Sequence, residues 1–371
     1  MLVLIIVLSI LILVHELGHF LLARKLGVMV EEFGFGLPPR LIGKRIGETI
    51  YSINLFPFGG FVKLHGEDYG EELRYPRRAF MRKGKKVRFV IVTAGVLMNL
   101  LLAIVSFGIV YSFSGIPRET KNVKVVEIET SSPAQVAGIL VGDIVRKVDK
   151  KEVATVEEFV NSVEQKKGKK LELEIERTLP AKSTEVPGGI VKLTITPREN
   201  PPEGQGPLGV VITNTEIYYP PVILRPFYGI YYGSKEAYFW GENLVVALIQ
   251  LFANLFKGKI PHDIAGPVGI FALTSKAAQY GILAVINFIG IMSMNLAILN
   301  IMPFPALDGG RVLFIVLERV IGKRVLPKIE ATIHAVGMII LLLLLLAITA
   351  QDIQRLISAG GISGFLDNVL K

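Results

Sequence analysis

The sequence predicts a polytopic α-helical membrane protein with about four transmembrane helices, a membrane-associated β-hairpin or sheet and an inserted soluble α+β domain. Of the 371 residues, 51% are apolar and only 20% are charged, and the mean hydropathy is +0.51. A soluble domain carries about 25% charged residues. The apolar residues are concentrated in blocks, which favours membrane segments plus one soluble module over a uniformly apolar globule. The chain lacks cysteine, which excludes disulfides, thiolate metal sites and cysteine nucleophiles.

Four apolar stretches reach the length of about 20 residues that a helix needs to cross the bilayer. They are Met1–Leu22, Phe89–Phe113, Ile282–Met302 and Ala331–Ala350. The first has neither a basic start nor a small-residue cleavage site. It is therefore expected to be an uncleaved helix rather than a signal peptide.

The charges of the connecting segments predict their orientation. The segment from Arg24 to Arg88 holds 14 Lys and Arg against 7 Asp and Glu, and the segment from Pro303 to Ile329 holds 5 against 2. Loops enriched in Lys and Arg stay in the cytoplasm. We therefore expect both segments in the cytoplasm, and both termini and the soluble domain on the outer side.

The segment Tyr51–Leu64 inside the first basic region is rich in apolar and β-forming residues. Pro57 and Gly59-Gly60 mark a bend within it. These features predict a hairpin that dips into the membrane. A buried structural hairpin is the alternative.

The soluble insert has the pattern of a small α+β domain. Ser132 is typical of a helix N-cap and is followed by a proline at the first helical position. Thr155 and Glu158 have the spacing of a capping box before a second helix. Apolar and charged residues alternate in Leu171–Ile175 and Val191–Ile195, as they do in half-buried strands.

The stretch Tyr238–Phe256 is amphipathic. Trp240, Leu244 and Leu248 begin an apolar stripe at helical spacing, and amide side chains occupy the opposite face. This pattern predicts a helix that lies in the plane of the membrane interface. A helix that packs in the core between domains is the alternative.

The first apolar stretch contains the sequence His15-Glu16-Leu17-Gly18-His19. Residues four apart share one face of a helix and lie about 6 Å apart along its axis. Two imidazoles so placed are able to ligate one Zn²⁺, and Glu16 beside them is able to reach the water bound to the metal. A charged residue in an apolar helix costs roughly 2.5–3.5 kcal/mol and is normally functional. The pattern therefore predicts a catalytic zinc site.

A catalytic zinc site needs a third protein ligand, and Asp308 is the strongest candidate. It follows the third apolar stretch in Asn300-Ile-Met-Pro-Phe-Pro-Ala-Leu-Asp308. The first and third stretches run in the same direction, which puts Asp308 and the histidines in the same half of the membrane. Two prolines break the helix before Asp308, and two glycines free the backbone after it. A loop aspartate paired with Arg311 is the alternative. His65, His262 and His334 are expected to be structural.

Two sets of motifs resemble known families. The run Ser131-Ser-Pro-Ala-Gln-Val-Ala-Gly-Ile-Leu-Val-Gly-Asp-Ile-Val145 is similar to PDZ domains of bacterial proteases, and Gly206-Pro-Leu-Gly-Val210 resembles their carboxylate-binding loop. With H-E-x-x-H before this insert and N-x-x-P-x-P-x-L-D-G after it, the chain resembles the site-2 protease family of intramembrane zinc metalloproteases. The match is to bacterial members with one PDZ domain, and Phe33–Gly36, Tyr51–Leu64 and Gly266–Ile270 also agree with it.

The resemblance implies four regions and a set of site roles. The regions are an N-terminal membrane domain (1–114), an extracytoplasmic PDZ domain (115–215), a linker with the amphipathic helix (216–280) and a C-terminal membrane domain (281–371). His15, His19 and Asp308 would bind Zn²⁺, Glu16 would act as the general base, and Asn300 would contact the substrate or its oxyanion.

The implied activity is hydrolysis of peptide bonds within or near the transmembrane segments of single-pass substrates, such as anti-sigma factors and remnant signal peptides. The implied location is the bacterial inner membrane, and the implied partners are these substrates, peptide C-termini at the PDZ domain and the lipid bilayer. The edge strand of the Tyr51–Leu64 hairpin is expected to pair with the unwound substrate.

Other classes of protein remain open at this point. The basic cluster Arg74–Arg88 lacks the aromatic residues of a nucleic-acid site and abuts an apolar stretch, so we expect anionic lipid and no nucleic acid as its partner. A non-proteolytic PDZ scaffold with a structural metal site is the first alternative to a protease, and a metal transporter is the second.

Overall fold

The computed structural model describes residues 2–67, 70, 73–177, 189–202, 204–257, 266–323, 325–361 and 364, and His262 lies outside them. The chain separates into two compact units. The membrane unit comprises Met1–Ser114 and Pro221–Lys371, and the inserted unit comprises Gly115–Pro220. The sequence predicts that the insert ends at residue 215, but its last strand continues to Tyr218.

Helices dominate the membrane unit. In chain order, the α-helices of the described residues are α1 (Leu2–Lys25), α2 (Lys85–Ser114), α3 (Pro133–Val136), α4 (Val156–Glu164), α5 (Arg225–Phe256), α6 (Pro267–Gln279), α7 (Ile282–Ile301), α8 (Asp308–Ile321) and α9 (Pro327–Ser358). Four of these, α1, α2, α7 and α9, are long and apolar enough to cross a membrane. They occupy the places of the four predicted apolar stretches.

Helix α2 lies at the centre of the membrane unit, in contact with α1, α5, α7 and α8. Glycines allow the closest approaches. A Cβ on Gly18 of α1 would lie 2.5 Å from the Ala94 carbonyl oxygen, and a Cβ on Gly290 of α7 would lie 2.8 Å from the Phe107 ring. Both distances are shorter than a nonbonded contact allows. The approach at Gly18 fixes which face of α1 meets α2.

A β-sheet follows α1, and the sequence predicts only half of it. Strands β1 (Val30–Ile46) and β2 (Thr49–Leu64) pair antiparallel, with register shifts along both strands. The register pairs residues 32–35 with 60–63 on one side and with 50–53 on the other, and residues 42–46 with 49–53. The predicted hairpin corresponds to β2, while the prolines and charges of β1 conceal its strand pattern in the sequence.

His65 ties this sheet to the segment before α2 and is structural, as expected. It is 2% exposed, its Nδ1 lies 2.7 Å from Glu31 Oε1, and its Nε2 accepts a hydrogen bond from Tyr75 N at 3.1 Å. Burial alone would raise the pKa of Glu31, but its contacts with His65 and Lys63 outweigh burial and lower that pKa. Both ring nitrogens of His65 are occupied by these two contacts.

The amphipathic helix α5 begins at Arg225 and not at Tyr238, where the apolar stripe begins. Its first half packs against α2. The Glu236 carboxylate accepts hydrogen bonds from Tyr111 Oη at 2.8 Å and from Trp240 Nε1 at 3.0 Å. This half mostly precedes the predicted stripe and is packed within the membrane unit, whereas the second half leaves most of its apolar side chains exposed. The interfacial position of Tyr238–Phe256 stays a prediction.

The inserted unit consists of one sheet and two short helices. Its strands are β3 (Ile116–Ile128), β4 (Ile144–Val148), β5 (Lys151–Glu152), β6 (Leu171–Arg177), β7 (Gly189–Ile195) and β8 (Val210–Tyr218). The sheet order is β7-β6-β4-β3-β8, and β5 pairs with β4. Ser132 Oγ caps α3, and Thr155 and Glu158 form the capping box of α4, both as predicted.

Candidate metal centre and catalytic cavity

Helix α1 carries two histidines on the face that meets α2. His15 and His19 are one turn apart, their ring centroids are 4.8 Å apart, and their Nε2 atoms are 3.1 Å apart. His15 is only 8% exposed. Because Cβ atoms at i and i+4 project from the same side of a helix, the H-E-x-x-H spacing alone accounts for this pair.

Asp308 reaches the histidines through a short turn. Helix α7 ends at Ile301, and the chain turns back so that Asp308 becomes the first residue of α8. The sequence suggests that the two glycines after Asp308 free the backbone. In the structure they belong instead to the first turn of α8. A Cβ on Gly309 would lie 1.9 Å from the Met302 carbonyl oxygen, so glycine is needed here for close packing.

Three potential ligand atoms converge at this point. Asp308 Oδ2 lies 3.0 Å from His15 Nε2 and 3.3 Å from His19 Nε2. An ion with tetrahedral bonds of about 2.0–2.1 Å holds its ligand atoms about 3.3 Å apart. The observed separations match that spacing closely, and the three residues form the one group of potential metal ligands found within the described residues.

The opposite nitrogen of each imidazole is also engaged. His19 Nδ1 lies 2.8 Å from the Ile91 carbonyl oxygen, so Nδ1 carries the proton and donates it. Asn99 Nδ2 lies 3.3 Å from His15 Nδ1, and Asn99 Oδ1 is buried without a hydrogen-bond partner within the described residues. When that oxygen faces the ring, it accepts the Nδ1 proton.

His19 therefore presents an unprotonated Nε2, and His15 does the same when the Asn99 amide is turned so that Oδ1 accepts the Nδ1 proton. Two nitrogen lone pairs and the carboxylate of Asp308 then meet without a proton between them. A cation relieves the repulsion among these groups, and zinc-binding histidines usually donate their second ring N–H to a carboxylate, a backbone carbonyl or water. The donor set and its surroundings therefore fit Zn²⁺.

Sequence reasoning missed two residues of α2 that shape the centre. Asn99 is fully buried beside His15. A Cβ on Gly95 would lie 2.4 Å from His19 Nε2 and 2.5 Å from His15 Cε1, so this position has no room for a larger residue. The available signal was an amide in the uncharged apolar stretch Phe89–Phe113, one turn after a glycine.

Glu16 and Asn300 line a cavity beside the three ligand atoms. Its volume is about 250 Å³, and His15, Asn99 and Asp308 also contribute to its wall. The structure therefore brings together all five site residues that the sequence predicts, although they come from α1, α7 and α8.

A larger cavity of about 490 Å³ adjoins the same centre. Its wall includes the two histidines, Glu16 and Asp308, residues of β2 (Phe61, Val62 and Leu64), Arg311 of α8 and His334 of α9. Arg311 forms an ion pair with Glu67 rather than the alternative pair with Asp308. The Glu67 carboxylate raises the pKa of the Arg311 guanidinium, so this arginine stays protonated and paired with Glu67 in the cavity wall.

Comparison with known proteins identifies the family of this chain. The model of Peptidase family M50 matches residues 3–344. A relative from Clostridium acetobutylicum is 33% identical and aligns over 93% of this chain and 94% of its own. The zinc metalloprotease RasP of Geobacillus kaustophilus is 29% identical over 95% of this chain and 97% of its own.

The chain belongs to Peptidase family M50. It is a zinc metalloprotease, and Zn²⁺ is the cofactor of this class of enzyme. This identification favours the enzyme over the scaffold and the transporter. A solved PDZ domain of an SdrC-like protein from Listeria monocytogenes is 16% identical and covers 25% of this chain and 88% of that chain, with a TM-score of 0.21. At that score the PDZ assignment of the insert stays a prediction.

Proposed function

We propose that this protein is a site-2-type endopeptidase that cuts single-pass membrane proteins within or near their transmembrane segments. One observation supports this most directly. The three potential zinc ligands and Glu16 lie on or next to α1 and α7, two helices that are long and apolar enough to cross the bilayer. A hydrolytic centre in such surroundings is suited to peptide bonds at membrane depth.

The proposed catalytic roles follow from the surroundings of each residue. His15, His19 and Asp308 would hold the ion. Bound Zn²⁺ lowers the pKa of a water toward about 7 and polarises a carbonyl group. The Glu16 carboxylate accepts the proton of the attacking water and passes it to the leaving amide nitrogen. The Asn300 amide donates a hydrogen bond to the carbonyl oxygen as negative charge develops there.

Strand addition is the proposed mode of substrate binding. A helical substrate hides its peptide bonds, so it must be extended before it is cut. Within the described residues, 60–63 of β2 pair with 32–35 of β1 on one side and with no strand on the other side. Phe61 and Val62 of this edge line the larger cavity. A substrate strand added there would pass alongside the metal centre.

The inserted unit is proposed to be a PDZ domain that binds peptide C-termini outside the cytoplasm. Strand β8 is at the end of the sheet order and pairs with β3, which leaves an edge for an added peptide strand. The basic loops support a multi-pass orientation in the bacterial inner membrane with the insert on the outer side. Anti-sigma factors and remnant signal peptides are the proposed substrates.

A cleavage assay with purified enzyme, zinc and a tagged single-span substrate tests this function. We expect E16Q to bind zinc but to lose roughly 10²–10⁴-fold in rate, because proton transfer contributes that much. D308N should lose zinc binding and activity together, and N300A should lose about 10²–10³-fold in rate. The matched control is E242Q, the same change at an exposed glutamate of α5. An E16Q variant as active as E242Q would favour the scaffold instead.

A further inference from the structure

His334 of α9 lies in the wall of the larger cavity, together with His15, Glu16, His19 and Asp308. The sequence offers no reason to separate this histidine from a structural one, since it stands alone near the start of an apolar helix. Its surroundings differ from those of the structural His65, whose two ring nitrogens are both occupied.

One ring nitrogen of His334 holds the turn that leads to Asp308. Ala306 N donates a hydrogen bond to His334 Nδ1 at 2.9 Å. Ala306 has a φ of 77°, a left-handed conformation that L-residues rarely adopt and that persists only where the surroundings enforce it. One turn later on α9, a Cβ on Gly337 would lie 2.4 Å from Pro305 Cβ, so α9 presses on the same turn.

The other ring nitrogen of His334 is available. Because Nδ1 accepts a hydrogen bond, the neutral ring carries its proton on Nε2. Nε2 is buried and has no hydrogen-bond partner within the described residues. A buried donor without a partner is unfavourable, and such groups in native structures usually have a reason to be there.

We propose that His334 is a further active-site residue, which positions the turn carrying Asp308 through Nδ1 and donates a hydrogen bond from Nε2 to a carbonyl oxygen of the bound substrate. The second role rests on the proposed function, because it requires a peptide in the cavity. The first role does not, because it concerns only the geometry of one potential zinc ligand. The Phe314 ring, whose centroid is 5.6 Å from that of His334, keeps the imidazole in place.

Two substitutions separate the two nitrogens. H334N keeps an acceptor near the position of Nδ1 and removes the distal donor, whereas H334Q keeps a donor near the position of Nε2 and removes the proximal acceptor. H334L removes both. The matched control is T332A, an exposed side chain on the same helix. Zinc affinity is measured by competition with a chelator, and KM and kcat are measured at saturating zinc.

We expect H334N to bind zinc like T332A and to raise KM about tenfold, the effect of one lost hydrogen bond. H334Q should weaken zinc binding about 10–100-fold, because the turn that carries Asp308 loses the group that positions it. Its KM should be unchanged. H334L should show both defects. If H334N and H334Q lose the same quantities, or if neither differs from T332A, the proposal is overturned. Zinc affinity needs no substrate, so failure of the proposed proteolysis would not obscure the positioning result.

Discussion

Replacing Gly95 by alanine tests whether α2 sets the position of both proposed zinc-binding imidazoles. The added methyl carbon would lie 2.4 Å from His19 Nε2 and 2.5 Å from His15 Cε1. Nonbonded heavy atoms need about 3.5 Å, so the rings must retreat by roughly 1 Å. Zinc–ligand distances tolerate only about 0.2 Å. We therefore expect G95A to bind zinc more than about 100-fold more weakly. This loss exceeds the roughly 10–100-fold expected when a ligand histidine loses only its hydrogen-bond partner.

The assay compares chelator competition and substrate cleavage for G95A and for G108A. Gly108 lies on the same helix, and a Cβ there would lie 3.4 Å from the nearest atoms of Gly229 and Ile230, an ordinary contact. Thermal unfolding of both proteins without zinc shows whether the helices still assemble. Should the metal-free G95A enzyme be folded and bind zinc within threefold of G108A, the imidazoles are not held by α2 and the reasoning is refuted.

Three further changes probe other contacts. N99L should weaken zinc binding 10–100-fold because His15 loses its outer partner, whereas N99D should restore much of it; chelator competition measures both. R88M should destabilise the protein by about 3–5 kcal/mol, because it leaves the Glu318 carboxylate buried and unpaired. Thermal unfolding should show that the double variant R88M/E318L is more stable than R88M alone. The lowered pKa of Glu31 predicts stabilisation that is complete above its unfolded-state pKa and is lost as pH falls through the lower folded-state pKa; E31Q should remove this pH dependence from the unfolding curve.

Much of the candidate site is visible in the sequence because its signals are local. His15, Glu16 and His19 share one helical turn, so their spacing is enough to place them together. Asp308 is far along the chain, and its prediction depended on matching the direction and depth of two apolar stretches and on a family resemblance. The sequence left open a pair between Asp308 and Arg311. The tertiary structure decides against it, because Arg311 pairs with Glu67.

The supporting residues are not visible in the sequence because their roles arise from contacts between helices. Asn99 and Gly95 matter because α2 lies against the histidine face of α1, and nothing in their local sequence specifies that neighbour. Strand β1 is a second example. Prolines interrupt its strand pattern in the sequence, and it is recognised as a strand only from its pairing with β2. His334 likewise resembles any isolated histidine until α9 is placed against the turn before Asp308.

The amino-acid order by itself determined the number of long apolar helices, the presence of a capped α+β insert and the chemistry of a two-histidine, one-glutamate motif. These depend on hydrophobic length, short-range spacing and local hydrogen bonding, all of which act within one segment. Tertiary structure alone decided which nitrogen of each imidazole faces the ligand cluster, how closely α2 approaches it and which cavity walls surround it. Those properties depend on atoms from distant segments, whose distances are set only when the helices pack.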